Sequence, residues 1–355
     1  VEIIDLQLQK RSITLKRPFI TALRRVTKID VMDVYIELKN GMKGLGSAAS
    51  TLQITGESME GIQAIIHQAI KPQIVHKDIR QLGKLITHME KSCVGNSSAK
   101  AAVEIALHDA YCQYLDISLN SYLGGQVHVL ETDMTVSIDQ PEIMQKEALK
   151  RVSEGFNVLK VKVGKDEKLD LIRLRSIRDA VGQDISFRLD ANQGWNKKQA
   201  VNIIGQLEEE NMGVELVEQP VPADDIEGLK YIHDRVTTPI MADESVFSPA
   251  NAFHLLEMKA IDMLNIKLMK TGGIRRARQI ADLCQAAGIP CMIGSMMESI
   301  ISVTAAAHLA AAHPNITHYD LDAPLWMSDE PVKGGMNFKG RGVMLSEGSG
   351  IGIQL

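Results

Sequence analysis

Residues 157–164 read NVLKVKVG, an apolar strand pattern with two lysines set inside it. Side chains of a strand alternate with a period of two, so Lys160 and Lys162 point to one face and Leu159, Val161 and Val163 to the other. A buried strand normally excludes an ammonium group, because an unpaired buried charge is expensive. Two of them aimed at one interior require something there to meet them.

The sequence around that stretch sets the fold class. From about residue 130, short apolar runs alternate with amphipathic helical patterns. The runs are TDMTVSI, VLKVKV, ISFRLD, VELVEQ, PIMADE, MLNIKL, CMIGS and ITHYDLD, eight strands with a helical pattern in each of the seven gaps. This alternation calls for parallel strands, and eight of them close a barrel. No helical pattern follows the eighth strand. The chain runs instead into VKGGMNFKGRGVMLSEGSGIG (332–352), too rich in glycine for a helix. The expected α/β architecture is therefore a (β/α)₇β modified TIM barrel over residues 126–322. Ahead of it, residues 1–125 show strand alternation in 2–17 and 29–38 and helical periodicity in 57–72 and 98–116, an α+β capping domain. Residues 323–355 are expected to return and complete that cap.

Composition narrows the function. The chain has 355 residues, 45% hydrophobic, enough for a large core, and a net charge of −5 with acidic and basic residues interspersed. Without a basic stripe, and with only 4% aromatic residues, nucleic acid is not an expected partner. No apolar run approaches the roughly 18 residues of a membrane span, and the alternating start VEIIDLQLQKRSITLK is unlike a signal peptide. Cys93, Cys112, Cys284 and Cys291 lack paired spacing, so neither a disulfide framework nor a zinc site is indicated. A cytoplasmic homo-oligomer is the expectation.

In such barrels the active site lies at the C-terminal ends of the strands. The polar residues there are Lys160 and Lys162 on the second strand, Asp190 on the third, Glu218 on the fourth, Asp243 on the fifth and Lys267 on the sixth. Strand seven reaches Ser295, and strand eight carries Asp320 and Asp322. The steps 162→190, 190→218, 218→243 and 243→267 are 28, 28, 25 and 24 positions, about one strand–helix unit each. Asp190, Glu218 and Asp243 offer hard oxygen ligands that suit Mg²⁺. A lysine beside a divalent cation and a second lysine is expected to lose basicity until it can accept a proton near neutral pH. Lysines on opposite sides of one carbon could remove a proton from one face and return it to the other, which is the chemistry of a racemase or epimerase. An isolated acid after a strand is more often a helix cap. Six charged groups on five successive strands in matching phase argue against that plain reading. TGGIRR (271–276) can be read as a phosphate-binding turn, on weak evidence.

At these residues the chain resembles the enolase superfamily, in particular its muconate-lactonizing-enzyme subgroup, over essentially its whole length. The resemblance implies one Mg²⁺ per subunit on Asp190, Glu218 and Asp243. It makes Lys162 and Lys267 the two bases, and has Lys160 stabilise the enolate and depress the Lys162 pKa. Asp320-Leu-Asp322 resembles the D-x-D motif with which dipeptide epimerases hold a free α-ammonium. RPFITALRRV (17–26) resembles their mobile loop, in which an arginine matching Arg24 grips a glutamyl carboxylate, and TLQITGES (51–58) resembles the second specificity loop. Thr135 and Ser295 match substrate-contacting positions. The implied reaction is Mg-dependent epimerization of a dipeptide at its C-terminal α-carbon, L-Ala-L-Glu to L-Ala-D-Glu, as in murein peptide metabolism. Alternatives on the same scaffold are an epimerase of hydrophobic or cationic specificity, an N-succinylamino acid racemase, or a lyase or cycloisomerase (o-succinylbenzoate synthase, muconate cycloisomerase). A non-catalytic carboxylate-binding protein stands last. Tyr319 and Trp326 read as packing, and Glu298, near the expected mouth, has no role assigned.

Overall fold

The computed structural model describes residues 1–125, 129–328 and 332–354. The expected first barrel residue, 126, lies outside them. Strands Ile3–Ile20, Arg25–Leu38 and Lys43–Ala49 form an antiparallel sheet in that order. The third strand, KGLGSAA, escapes sequence reading because its small residues have little strand propensity. The helix Ser97–Leu115 explains them. A Cβ on Gly46 would sit 1.9 Å from the Ala102 carbonyl oxygen, and one on Gly44 2.1 Å from that of Ala106, so helix and sheet touch backbone to backbone. The helix Leu82–Lys91 was also not anticipated, although Leu82, Leu85, Ile86 and Met89 form an ordinary buried stripe.

The alternating pattern after residue 130 is a parallel barrel sheet. In chain order its strands are Met134–Val136, Val158–Lys162, Ser186–Asp190, Val214–Glu218, Ile240–Ala242, Met263–Ile266, Cys291–Gly294 and Ile316–Asp320, each beside the next. The gaps hold the helices Pro141–Ser153, Glu167–Val181, Lys197–Glu209, Ile226–His233, Pro249–Met258, Ile274–Ala286 and Ile300–Ala312. First and last strands meet at a seam. There the Asp133 N–H donates to the Tyr319 carbonyl at 3.1 Å and the Leu321 N–H to Thr132 Oγ1 at 2.9 Å. Inside, Leu216, Met241, Met263 and Met292 pack as an apolar floor. Each lies two residues before Glu218, Asp243, Asn265 and Gly294 on the same inward face, so the floor underlies a polar layer.

The last segment divides its contacts. The hairpin Met336–Lys339 and Gly342–Leu345 adds Val129–Glu131 as a third strand, at the entry to the barrel. The final turn reaches the cap, where the Ile351 N–H donates to Asp109 Oδ1 at 2.7 Å and the Leu119 N–H to the Gly350 carbonyl at 2.7 Å. Among the described residues, no helix is long and apolar enough to cross a membrane.

Candidate active site

Lys160 and Lys162 enter the barrel interior because the parity of Val158–Lys162 puts Leu159 and Val161 outside against the helices. Acids meet them there. Lys162 Nζ donates to Asp190 Oδ2 at 2.5 Å. Lys160 Nζ lies 2.6 Å from Asp320 Oδ2, 2.7 Å from Glu218 Oε2 and 3.2 Å from Asp190 Oδ2. Lys267, at the end of the sixth strand, donates to Asp243 Oδ2 at 2.7 Å. All seven groups are buried.

This charge balance sets the basicity of two of the lysines. Burial alone would lower the pKa of Lys160 and Lys267, but the carboxylates outweigh it and hold both above the ordinary lysine value. For Lys160 the carboxylates are Asp320, Glu218 and Asp190, and for Lys267 Asp243 leads. One reading the structure corrects is that of TGGIRR. Its helix N-terminus is already occupied by a carboxyl group, since Glu104 Oε1 accepts from the Arg275 N–H at 2.7 Å. A Cβ on Gly273 would lie 2.1 Å from Glu104 Oε2, so a side chain fills the position a phosphate would need.

Asp190, Glu218 and Asp243 stand at the ends of adjacent strands, where Asp190 is opposite Glu218 in register. Burial, with Asp190 adding to it, pushes the Glu218 carboxyl up to about 7. Among the described residues its Oε2 has no hydrogen-bond partner, although Lys160 is in ion-pair range. Three mutually repelling, all-oxygen donors fit a hard divalent cation. Among the described residues no three such groups are already drawn together at ligand distance. Lysine ammoniums hold each of them instead.

Side chains outside the expected set complete the polar layer. Asn265 Nδ2 donates to Glu218 Oε1 at 2.8 Å, and Lys270 Nζ meets Oδ1 of Asp243 at 2.5 Å. Lys270 is three residues past Lys267 in NIKLMK and folds back from the turn Leu268–Thr271. Asn192 Nδ2 donates to Glu244 Oε1 at 3.1 Å, leaving Asn192 Oδ1 and Glu244 Oε2 buried without partners among the described residues. Backbone strain gathers at the same rim. Asn192, Gln193 and Gln219 have φ of 41°, 68° and 39°, directly after Asp190 and Glu218.

A cavity opens above this layer, between barrel and cap. Lys162, Lys267 and Asp243 line it from the barrel, with Thr135, Ser295, Asp320 and Asp322 at the seam and Arg24 and Ile54 from the cap. Lys160, Asp190 and Glu218 lie beneath, in contact with that lining. Asp322 Oδ2 accepts from the Thr135 N–H at 2.7 Å and from Trp326 Nε1 at 3.1 Å. Trp326 packs edge-on against Phe19, whose ring centroid is 5.6 Å from Lys162 Nζ. Among the described residues the Arg24 guanidinium has no acidic partner, and burial holds its pKa below the ordinary arginine value. Glu298, left without a role, is buried behind the cavity wall. Its Oε1 accepts from the Met296 N–H at 2.8 Å, Oε2 has no partner among the described residues, and burial pushes its carboxyl up to about 7.

Residues 3–124 match the family described as mandelate racemase / muconate lactonizing enzyme, N-terminal domain, and residues 143–355 the family described as enolase C-terminal domain-like. An L-Ala-D/L-Glu epimerase of Clostridium acetobutylicum is 46% identical over 350 residues, covering 99% of this chain and 98% of that protein. The substrate-liganded structure of the L-Ala-D/L-Glu epimerase from Bacillus subtilis superposes with a TM-score of 0.98 at 44% identity, covering 99% of both chains. A dipeptide epimerase of Enterococcus faecalis V583, complexed with Mg and L-Leu-L-Tyr, gives 0.97 at 41% identity over 100% of both.

Proposed function

This chain belongs to the mandelate racemase / muconate lactonizing enzyme family, and from that premise we propose that it is a dipeptide epimerase acting on L-Ala-L-Glu. The observation that carries the reading is one cavity that brings together two lysines, a pair of aspartates and the Arg24 guanidinium. Asp320 and Asp322 suit the substrate's α-ammonium, and Arg24 suits a distal carboxylate, which a guanidinium grips bidentately. Asp190, Glu218 and Asp243 would hold Mg²⁺, which when bound supplies a Lewis acid against the substrate's C-terminal carboxylate and added positive charge beside the lysines.

The proton chemistry falls to this chain's own groups. Lys162 takes the α-proton from one face as the general base, leaving the electron pair on the substrate. The Lys267 ammonium, which Asp243 favours, gives a proton to the opposite face. The roles exchange in the reverse direction, and both lysines re-equilibrate with water between turnovers. Lys160, held among three carboxylates, keeps a fixed positive charge where the enolate develops.

The test is proton NMR of L-Ala-L-Glu with the protein and Mg²⁺ in D₂O. Loss of the glutamyl α-proton signal with growth of the L-Ala-D-Glu diastereomer is the expected result. No reaction on that dipeptide, with L-Leu-L-Tyr epimerized, would move the assignment to the hydrophobic class. Ile54 and Met297, which share the cavity wall, are the features that favour this second reading. The proposal includes a homo-oligomer, measurable by light scattering.

A further inference from the structure

The long cap helix Ser97–Leu115 begins without a cap of its own. Asn96, at its N-cap position, has φ 53° and makes no side-chain capping bond. Its Nδ2 is turned to the Val94 carbonyl at 2.8 Å. The first free N–H groups of the helix are met from elsewhere in the chain. Glu57 Oε2 accepts from the Ser98 N–H at 2.8 Å and Glu57 Oε1 from the Ala99 N–H at 3.1 Å. A carboxylate suits that place, because the helix dipole and the unsatisfied donors both favour negative charge.

Glu57 also closes the loop that reaches the cavity. Its carbonyl accepts from Ser50 Oγ at 3.0 Å, so residues 50–57 form a loop tied at its base. Within it, the Ile54 and Thr55 N–H groups both donate to the Thr51 carbonyl, at 3.1 and 2.9 Å. Gly56, with φ 72°, supplies the left-handed step back to Glu57. Ile54 lies at the far side of that loop, in the cavity wall with Leu23 and Arg24. Only 5% of Glu57 is exposed, so no solvent competes for the two bonds.

We propose that Glu57 is a positioning residue for substrate selection, clamping the 50–57 loop to the N-terminus of helix Ser97–Leu115 so that Ile54 is held against the side chain of the substrate's second residue. The clamp binds no substrate itself. It converts the rigidity of a buried helix into a fixed wall on the cap side of the cavity. Of its proposed effects, substrate selection rests on the dipeptide epimerase reading, while loop order does not.

Two measurements on the full-length protein with Mg²⁺ keep these apart. Hydrogen exchange of the 51–56 amides is compared between wild type and Glu57→Gln, which keeps the volume but removes the charge and one acceptor. Faster exchange there is expected, and unchanged exchange would overturn the clamp whatever the activity proves to be. In parallel, KM and kcat are measured for L-Ala-L-Glu and L-Ala-L-Ala. The expected result for Glu57→Gln is a roughly tenfold rise in KM for L-Ala-L-Glu, the scale of a lost charge-assisted contact. Its kcat should stay within about twofold, and the preference over L-Ala-L-Ala should narrow. Glu57→Asp, which restores the charge, should recover part of that preference. A variant whose helix melts earlier while KM and preference stay at wild-type values would show a structural cap only, and would refute the selection role. If wild type leaves both dipeptides and a wider dipeptide panel untouched, the epimerase reading falls, and the exchange arm still decides the clamp.

Discussion

Lys160 touches three carboxylates from three different strands, so its loss strands charge in several directions at once. Removing one partner of a buried pair costs about 3–5 kcal/mol. Lys160→Ala should therefore lower the melting temperature as well as activity, whereas Lys162 and Lys267 have fewer acids to abandon. We expect Lys162→Ala and Lys267→Ala to fold and to lose epimerization by a factor on the order of 10³ or more, the upper range for a positioned acid or base. Lys267→Ala should still exchange the α-proton of one stereoisomer with D₂O. Retained epimerization in both variants would end the two-base scheme. Arg24→Ala should raise KM for L-Ala-L-Glu by about 10–100-fold, the worth of a lost hydrogen bond to charge, and should spare hydrophobic dipeptides. Lys160 and Lys162 were legible because strand parity decides direction, and parity is written in the sequence, whereas Arg24, in a loop, was legible only through the family resemblance. Lys270 was not. It resembles Lys267 in NIKLMK, and only the place where the strand gives way to a turn shows that it folds back onto Asp243.

At the scale of elements, the helix Ser97–Leu115 is buried on nearly every face and carries titratable groups inside the fold. Burial pushes Glu104 from 4.5 to about 8 and His108 from 6.5 down to about 4. The folded state keeps the Glu104 proton to about pH 8, while the unfolded chain gives it up near 4.5. Between those values the folded state binds more protons, so stability falls as pH rises through the window. His108 acts in the opposite sense between pH 4 and 6.5, where the unfolded chain binds the extra proton. From pH 6.5 to 8 only the Glu104 slope remains of the two. Melting temperatures of wild type should decline across that interval more steeply than those of Glu104→Gln, and parallel curves would contradict the assignment. The same helix makes Gly46→Ala costly. The added Cβ meets backbone rather than a movable side chain, and a loss of about 1–3 kcal/mol should appear in urea melts. Glycine is also why Lys43–Ala49 could not be read as a strand. The chain there trades strand propensity for close approach to a helix that is distant in sequence.

For the whole molecule, the barrel was legible because one strand–helix unit repeats and each repeat carries its charge at the same phase. The cap and the C-terminal hairpin do not repeat, and their pairings join residues far apart, such as Val343 with Leu130. Nothing local encodes such contacts. Charge also acts at this scale. Asp190, Glu218 and Asp243 would be relieved by a cation, so Mg²⁺ should raise the melting temperature. The gain is about 2.7 kcal/mol at a hundredfold excess over Kd. Glu218→Gln should weaken that shift, and chelation should abolish epimerization while leaving the protein folded.

The barrel seam joins the first and last strands through few contacts. The Asp133–Tyr319 and Thr132–Leu321 bonds lie beside the bond between Thr135 and Asp322. Each remaining neighbour is also joined by consecutive chain and a crossover helix, which the seam lacks; there Arg188 Nη1 adds a bridge to Asp133 Oδ2 at 2.9 Å and Lys160 Nζ one to Asp320 Oδ2 at 2.6 Å. Warming should therefore part the barrel at this line first. Asp320 and Asp322 stand on it, so heat should end catalysis some degrees before circular dichroism registers any loss of helix.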